Sequence, residues 1–345
     1  MKWLVTGGAG FIGTNTVRSL VAAGEEVILV DALLRKGSGN NLAALQAQYP
    51  QLDAHATDIR DFAALSEIFR RCAPINVVLH LAGQVAVTTS VINPREDFEI
   101  NALGTFNVCE AVRLHAPEAI LINASTNKVY GGLEHYRVVE ESDHYRYEDL
   151  PYGVPATEAV DFHSPYGCSK GAADQYVRDY GRIYGLRTVN FRQSCIFGPH
   201  QYGMEDQGWL AWFGICLLAG YPITICGDGK QVRDVLFVED LVDGYRRAVS
   251  HIDVIRGRNY NIGGGSERTI SLLHGIEMLE NIVGQKAQLQ FTSERPGDQR
   301  VFVADVRAAG TDFGWVPSTP VAAGLEKMIA WARTHLDEIL ATRQI

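Results

Sequence analysis

The sequence predicts an α/β fold: a doubly wound parallel sheet joined to a smaller, mixed C-terminal lobe. Three observations predict it. Up to about residue 195, short β-branched runs alternate with segments of helical period. Those runs are apolar throughout rather than at every second residue, as in strands buried on both faces. A glycine-rich turn separates the first strand from the first helix, which is the βα geometry that starts a parallel sheet covered by helices.

The strands are expected at WLVT (3–6), EVILV (26–30), LDAHA (52–56), NVVLHLA (76–82), AILINA (119–124) and RTVNFR (187–192). Helical periodicity fills Asp61–Arg71, Asn93–His115 and Ser164–Tyr184 between them. Beyond residue 195, Gly and Pro punctuate the chain, with helices expected near 209–219, 239–251, 270–283 and 320–336. At least one segment there is expected to return to the main sheet. The division that follows is 1–192 plus about 233–263 for the sheet domain, and about 193–232 plus 264–345 for the smaller lobe. Residues 133–161 are rich in charge and tyrosine and lack an apolar period. A loop that long in a compact domain is expected to be a functional lid.

Composition narrows the function classes. The chain has 345 residues, 46% of them hydrophobic, enough for one large domain or two lobes. A net charge of -9 argues against nucleic acid or an acidic membrane surface as the main partner. The six cysteines contain no C-x-x-C pair, and the ten histidines have no metal-ligand spacing. Free thiols in a reducing compartment are expected, with no metal site. No apolar run reaches membrane-spanning length, and the N-terminal run is too short and Gly-broken for a signal peptide. The expected location is the cytoplasm.

Thr6-Gly7-Gly8-Ala9-Gly10-Phe11-Ile12-Gly13 leaves the first strand and opens a helix. Glycines 7, 10 and 13 allow a tight turn, close approach to a pyrophosphate and tight helix–strand packing. The helix N-terminus offers free N–H groups to the phosphates. Phe11 and Ile12 fall in the same turn. Asp31 ends the second strand, where a carboxylate binds an adenosine ribose, so a Rossmann domain is expected. A carboxylate repels a 2′-phosphate, which favours NAD over its phosphorylated form, although Arg35 and Lys36 lie nearby. Asp58 and Ile59 follow the third strand and are candidates for the adenine. Leu81, Ala82 and Gly83 follow the fourth and are expected under the cofactor.

Pro165-Tyr166-Gly167-Cys168-Ser169-Lys170 carries Tyr-x-x-x-Lys at the start of a helix. The i, i+4 spacing puts both side chains on one face. A nearby ammonium favours the phenolate and is expected to draw the Tyr166 pKa down from roughly 10 toward a working value. Thr126, in STNKVYG after the fifth strand, can hold the same substrate oxygen beside the tyrosine. Tyr130 and Gly131 are expected to shape the pocket floor.

These features together resemble the extended short-chain dehydrogenases/reductases, mostly nucleotide-sugar epimerases, dehydratases and reductases. The resemblance covers nearly the whole chain. It implies that Thr126, Tyr166 and Lys170 carry proton transfer and nicotinamide-ribose binding, with Asn101 among the cofactor contacts. Family 4,6-dehydratases place an acidic residue just after the threonine, whereas this chain has Asn127-Lys128, which argues against dehydration. Longer stretches, HLAGQVAVTTSVINPREDFEIN (80–101), DFHSPYGCSKGAADQYVRDYGRIYGL (161–186), DQGWLAWF (206–213), GDGKQVRDVL (227–236) and DQRVFVADV (298–306), resemble the branch that epimerises C2 of CDP-linked hexoses of the paratose and tyvelose type. The chain departs from that branch at Gln193-Ser194-Cys195, where His-Ser-Ser is the pattern, and at IFGPHQYGME (196–205).

The resemblance implies a redox-neutral epimerisation of a nucleotide-diphosphate sugar through a 2-keto intermediate, with tightly bound NAD regenerated each turnover. Arg233 and Arg295 are the candidate diphosphate contacts, since guanidinium forks match phosphate oxygens. Asp298 is a candidate for the nucleotide ribose, and Trp209 for stacking on the base. Gln84, Asn127, Gln193 and Gln207 are the remaining candidate substrate contacts. The alternatives are an epimerase acting at C2 or C4 of another UDP-, GDP- or CDP-hexose, and a non-catalytic NAD-binding scaffold. The resemblance also implies a homodimer or homotetramer built on a four-helix interface from Asn93–His115 and Ser164–Tyr184.

Overall fold

The computed structural model describes residues 1–294 and 299–342. Its centre is a seven-stranded sheet, parallel throughout. The strands are β1 (Lys2–Thr6), β2 (Glu26–Asp31), β3 (Asp53–Ala56), β4 (Val77–His80), β5 (Ile120–Thr126), β6 (Arg187–Gln193) and β7 (Arg258–Ile262). Their order across the sheet is β7-β6-β5-β4-β1-β2-β3. The first six match the sequence expectation to within two residues at most ends. β7 is the anticipated return of the later chain to the sheet.

The strand alternation explains the two layers of helix. Trp3, Val5, Leu29, Leu79 and Phe191 point to one face, where they pack with Val17, Leu20, Leu241 and Tyr245. Leu4, Ile28, Val78 and Leu121 point to the other, against Leu65, Phe69, Val108 and Val177. Side chains alternate across a strand, so a run that is apolar at every position needs cover on both sides.

The expected helix over Asn93–His115 begins at Pro94 but is not uniform. Pro94–Phe98 and Gly104–His115 are α-helical, and the intervening Glu99–Leu103 is a π-helical turn. Ser164–Tyr184 is helical as expected and stops at Gly185, which adopts φ 72°. A second core gathers the helices Trp209–Ala219, Leu272–Val283 and Val321–Thr334 around strands Ile223–Cys226 and Val232–Phe237. The latter strand pairs with Cys195–Phe197, Thr269–Ser271 and Val301–Phe302.

Residues 133–161 correct the expectation of a lid. They form an antiparallel hairpin, Val138–Glu140 with Tyr145–Tyr147. Leu133, Tyr145, Tyr147 and Val154 bury themselves against Val232, Val301 and Phe302. The Tyr147 hydroxyl donates to the Val301 carbonyl at 2.7 Å. Tyr145 and Tyr147 are thus core residues of a small satellite cluster, and none of 133–161 lines the cleft described below. No described helix is long and apolar enough to cross a membrane.

Candidate active site

A cleft of about 680 Å³ opens along the C-terminal ends of the sheet strands, where ligands bind in open α/β sheets. It runs from the glycine turn past Asp31, Asp58 and Ile59 to Leu81, Ala82, Gly83 and Gln84. Thr126, Asn127, Tyr166 and Lys170 line its middle, and Gln193, Gln207, Trp209 and Arg233 its far end.

At the near end the backbone fits a dinucleotide. Gly7 adopts φ 70°, and a Cβ there would lie 2.6 Å from the Ala82 nitrogen. A Cβ on Gly13 would lie 2.1 Å from the Gly7 carbonyl oxygen. These contacts lock the turn against the helix Phe11–Ala22, here α1. Gly10 is the N-cap of α1 and supplies no side-chain cap, so the first-turn amides remain open toward the cleft for pyrophosphate. The Asp31 carboxylate accepts from the Ala9 N–H at 3.0 Å and the Leu33 N–H at 2.8 Å. That fixes it at the edge of the ribose position. The Asp58 carboxylate accepts from the Arg60 backbone and guanidinium, with a shortest ion-pair distance of 2.6 Å, and borders the cleft.

The middle of the cleft brings together the three residues expected to do chemistry. Tyr166 and Lys170 sit on consecutive turns of the helix Ser164–Tyr184, here α2, and both are buried. The Lys170 ammonium donates to the Ala124 carbonyl at 2.7 Å. The Thr126 hydroxyl is near enough to the Tyr166 phenol to lower its pKa. Thr126 also N-caps the 3₁₀ turn Asn127–Tyr130, accepting from the Lys128 N–H at 3.3 Å.

The electrostatics correct one expectation. The Tyr166 pKa is not drawn down; burial pushes it up to about 12, against the Thr126 hydroxyl, while Asp97 adds to the rise and Arg35 opposes it. Burial also lowers the Lys170 pKa to about 8, with Asp174 and Asp97 opposing the fall. Desolvation therefore outweighs Thr126 and Arg35, which favour the phenolate.

At the far end, the Gln193 amide donates to the Tyr245 hydroxyl at 2.7 Å, and Gln207 accepts from Arg35 at 3.1 Å. Trp209 begins the helix Trp209–Ala219 and meets Phe213 edge-on at 5.5 Å. Arg233 donates to the Val232 carbonyl at 2.8 Å and faces the cleft. Asn127 and Lys128 also face it, and the Lys128 ammonium lies 3.5 Å from the Gln299 oxygen. Arg295 and Asp298 lie outside the described residues.

Three expected positions, Asn101, Tyr130 and Gly131, do not line the cleft. Asn101 is buried behind the mouth, where its amide oxygen accepts from the Gln84 N–H at 2.9 Å and its NH₂ donates to the Gln84 carbonyl at 3.1 Å. These two bonds hold the 83–86 loop. Tyr130 packs inward: its hydroxyl donates to Asn261 at 2.6 Å and the Arg192 guanidinium covers its ring at 5.1 Å. The sequence reading missed Asp97, Ser169, Asp174 and Arg192, which buttress the site. Their signal was spacing: Asp97 is one helical turn before Asn101, and Asp174 one turn after Lys170.

Comparison with known proteins agrees with this geometry. The NAD dependent epimerase/dehydratase family matches residues 3–263. The CDP-paratose 2-epimerase of Salmonella typhi is 43% identical over 338 residues, spanning 96% of this chain and 99% of the relative. The UDP-glucose 4-epimerase of Thermotoga maritima, solved with UDP-glucose, superposes with a TM-score of 0.83 at 29% identity, covering 97% of this chain and 100% of that one. The dTDP-glucose 4,6-dehydratase DesIV of Streptomyces venezuelae, solved with NAD bound, superposes at 0.85 with 26% identity, covering 99% and 100%. With its glycine turn, Asp31 and Thr126–Tyr166–Lys170 set along one cleft, the chain belongs to the NAD dependent epimerase/dehydratase family, within the extended short-chain dehydrogenases/reductases, and uses NAD.

Proposed function

We propose that the protein epimerises a nucleotide-diphosphate sugar at C2, with a CDP-linked hexose of the paratose and tyvelose type as substrate. The observation that carries this reading is the wall beside Thr126. Thr126, Tyr166 and Lys170 face one cleft, and the residues next to Thr126 are Asn127 and Lys128, not the carboxylate that family dehydratases place there. The 43% identity to a CDP-paratose 2-epimerase supports the choice of base and carbon.

In its phenolate form, Tyr166 takes the proton of the C2 hydroxyl while Thr126 holds the same oxygen. The 2-keto sugar then turns over, and Tyr166 returns its proton to the C2 oxygen as hydride is restored to the opposite face of C2. When held along the glycine turn and Asp31, NAD would supply the acceptor and donor for the C2 hydride, and a redox-neutral cycle would leave it unchanged with no second substrate. Lys170 holds its place through Ala124 and supports the nicotinamide ribose. Arg233 holds the diphosphate at the far end, Trp209 stacks on the base, and Gln84, Asn127, Gln193 and Gln207 border the sugar; Arg295 and Asp298 are proposed to complete the nucleotide site. Residues 1–192 plus about 233–263 are the NAD half, and about 193–232 plus 264–345 the substrate half.

A second reading, epimerisation at C4 or C2 of another UDP-, GDP- or CDP-hexose, is favoured by the likeness to a UDP-glucose 4-epimerase. Incubating the protein with CDP-, UDP- and GDP-hexoses and separating the products separates the two. The expected result is a C2 epimer from the CDP-sugar, with Tyr166→Phe slower by about a hundredfold or more. A C4 epimer from a UDP-sugar would replace the first reading by the second. Turnover of Tyr166→Phe at the wild-type rate would sink both.

The helices of residues 87–115 and α2 carry exposed apolar side chains, Ile92, Phe98 and Ile183 among them. We read them as the four-helix contact with a second copy of the chain. Free cysteines throughout the described residues fit a reducing, cytoplasmic setting.

A further inference from the structure

Behind the cleft lies a carboxylate that the proposed reaction does not use. Asp97 is 1% exposed, in the short helix that precedes the π-helical turn. One of its oxygens accepts from the Gln84 amide at 2.8 Å and from the Asn101 amide at 3.2 Å. The other accepts from the Ser169 hydroxyl at 2.5 Å. Gln84 belongs to the loop that borders the cleft, and its remaining groups are closed on Ala86 and Asn101. Ser169 lies between Tyr166 and Lys170 on α2. A single carboxylate thus joins the loop on one side of the mouth to the catalytic helix on the other.

Its charge is placed differently from that of the other nearby acid. Asp174 is committed to Arg192, with an ion-pair distance of 3.0 Å between two buried groups, and to the Ser125 hydroxyl. Asp97 has no cation within ion-pair distance among the described residues; its three partners are neutral donors. A buried carboxylate without a cation is costly, and a hydrophobic or amide residue of the same size would pack there at lower cost.

We propose that Asp97 is a positioning residue for the epimerisation put forward above, clamping the 83–86 loop to α2 through Gln84 and Ser169 and directing its charge at Tyr166 and Lys170. The clamp fixes the width of the mouth in which the sugar oxygen meets Tyr166. The charge favours the protonated forms of both side chains. Around Lys170 the other titratable groups are Asp174, spent on Arg192, and His80, which burial keeps neutral. Around Tyr166 it is Arg35.

The test is Asp97→Asn, which keeps the shape and removes the charge, beside Ser169→Ala, which cuts the tie to α2 and keeps the charge. In the NAD-loaded protein with a CDP-hexose, Asp97→Asn is expected to lower kcat about tenfold with KM within about twofold. Both limbs of its pH–rate profile should move to lower pH, because losing an anion weakens proton binding at Tyr166 and Lys170. Ser169→Ala should lower kcat with the limbs unmoved. Amide hydrogen exchange should quicken in residues 83–86 and 164–170 in both variants. Wild-type kcat and unmoved limbs in Asp97→Asn would overturn the proposal. Should wild type turn over no nucleotide sugar, the exchange experiment decides alone: unchanged protection refutes the clamp, and faster exchange at the two named segments supports it. If Asp97→Asn fails to fold, Ser169→Ala decides by the same exchange criterion.

Discussion

Lys170 and His80 lie in the same buried patch and respond to it differently. Lys170 has anions near it, and burial lowers its pKa only to about 8. His80 has none to offset burial; desolvation and Lys170 together push its pKa down to about 3. Its ring is held between the Thr6 and Thr105 hydroxyls at 2.7 and 2.9 Å. Between pH 6.5 and about 3 the unfolded chain therefore takes up a proton at His80 that the folded protein refuses. The stabilisation is complete above pH 6.5 and is lost as the pH falls toward 3, on the order of 5 kcal/mol across the whole window. Urea midpoints measured from pH 7 to 4 should fall steeply in wild type and more gently in His80→Gln. Equal slopes would place the acid-sensitive group elsewhere. Individual residues were legible where the chemistry is local in sequence: Tyr166 with Lys170, and the glycines. Asp97 and Ser169 were not, because their bonds close only when β4's loop, the π-helical segment and α2 meet.

The β1–turn–α1 unit was readable from sequence because its geometry admits little but glycine. At Gly13 the limit is distance alone: a Cβ would lie 2.1 Å from the Gly7 oxygen and 2.6 Å from the Gly8 Cα. Both contacts are backbone, so no side chain can turn aside. Gly13→Ala is expected to push α1 off the turn, at a cost of about 2–3 kcal/mol, and to weaken NAD binding about tenfold or more, since the first-turn amides shift with the helix. Thermal unfolding and calorimetric titration with NAD measure the two effects; a Gly13→Ala variant that binds NAD as wild type does would refute the packing argument. Other elements left weaker traces. The hairpin strands in 133–161 are three residues each, too short to establish a period of two, and their buried tyrosines alternate with charges. The π-helical turn at Glu99–Leu103 adds no distinctive residue, yet it sits where Asn101 turns inward to hold Gln84.

At the scale of the molecule, the face of α2 that buries Tyr166 and Lys170 leaves another face uncovered. Tyr166, Lys170, Val177 and Tyr180 point inward, whereas Tyr176 and Ile183, seven residues apart, fall on one outward stripe. Beside it, the helices of residues 87–98 expose Ile92 at 77% and Phe98 at 57%, and Ile183 is 67% exposed. Large apolar groups gathered on two neighbouring helices point to an interface. Two copies related by a two-fold axis would oppose the same stripe to itself, giving a bundle of four helices. A stable contact of that kind buries about 1,000 Å² or more, and α2 is long enough, at 21 residues, to carry much of it. Ile92→Asp with Ile183→Asp should therefore turn a dimer into a monomer by light scattering. Because α2 carries Tyr166 and Lys170, the monomer should also turn over more slowly while keeping its fold by circular dichroism. A wild-type protein that scatters as a monomer at micromolar concentration would remove the second copy from the proposal and leave the stripe for another partner.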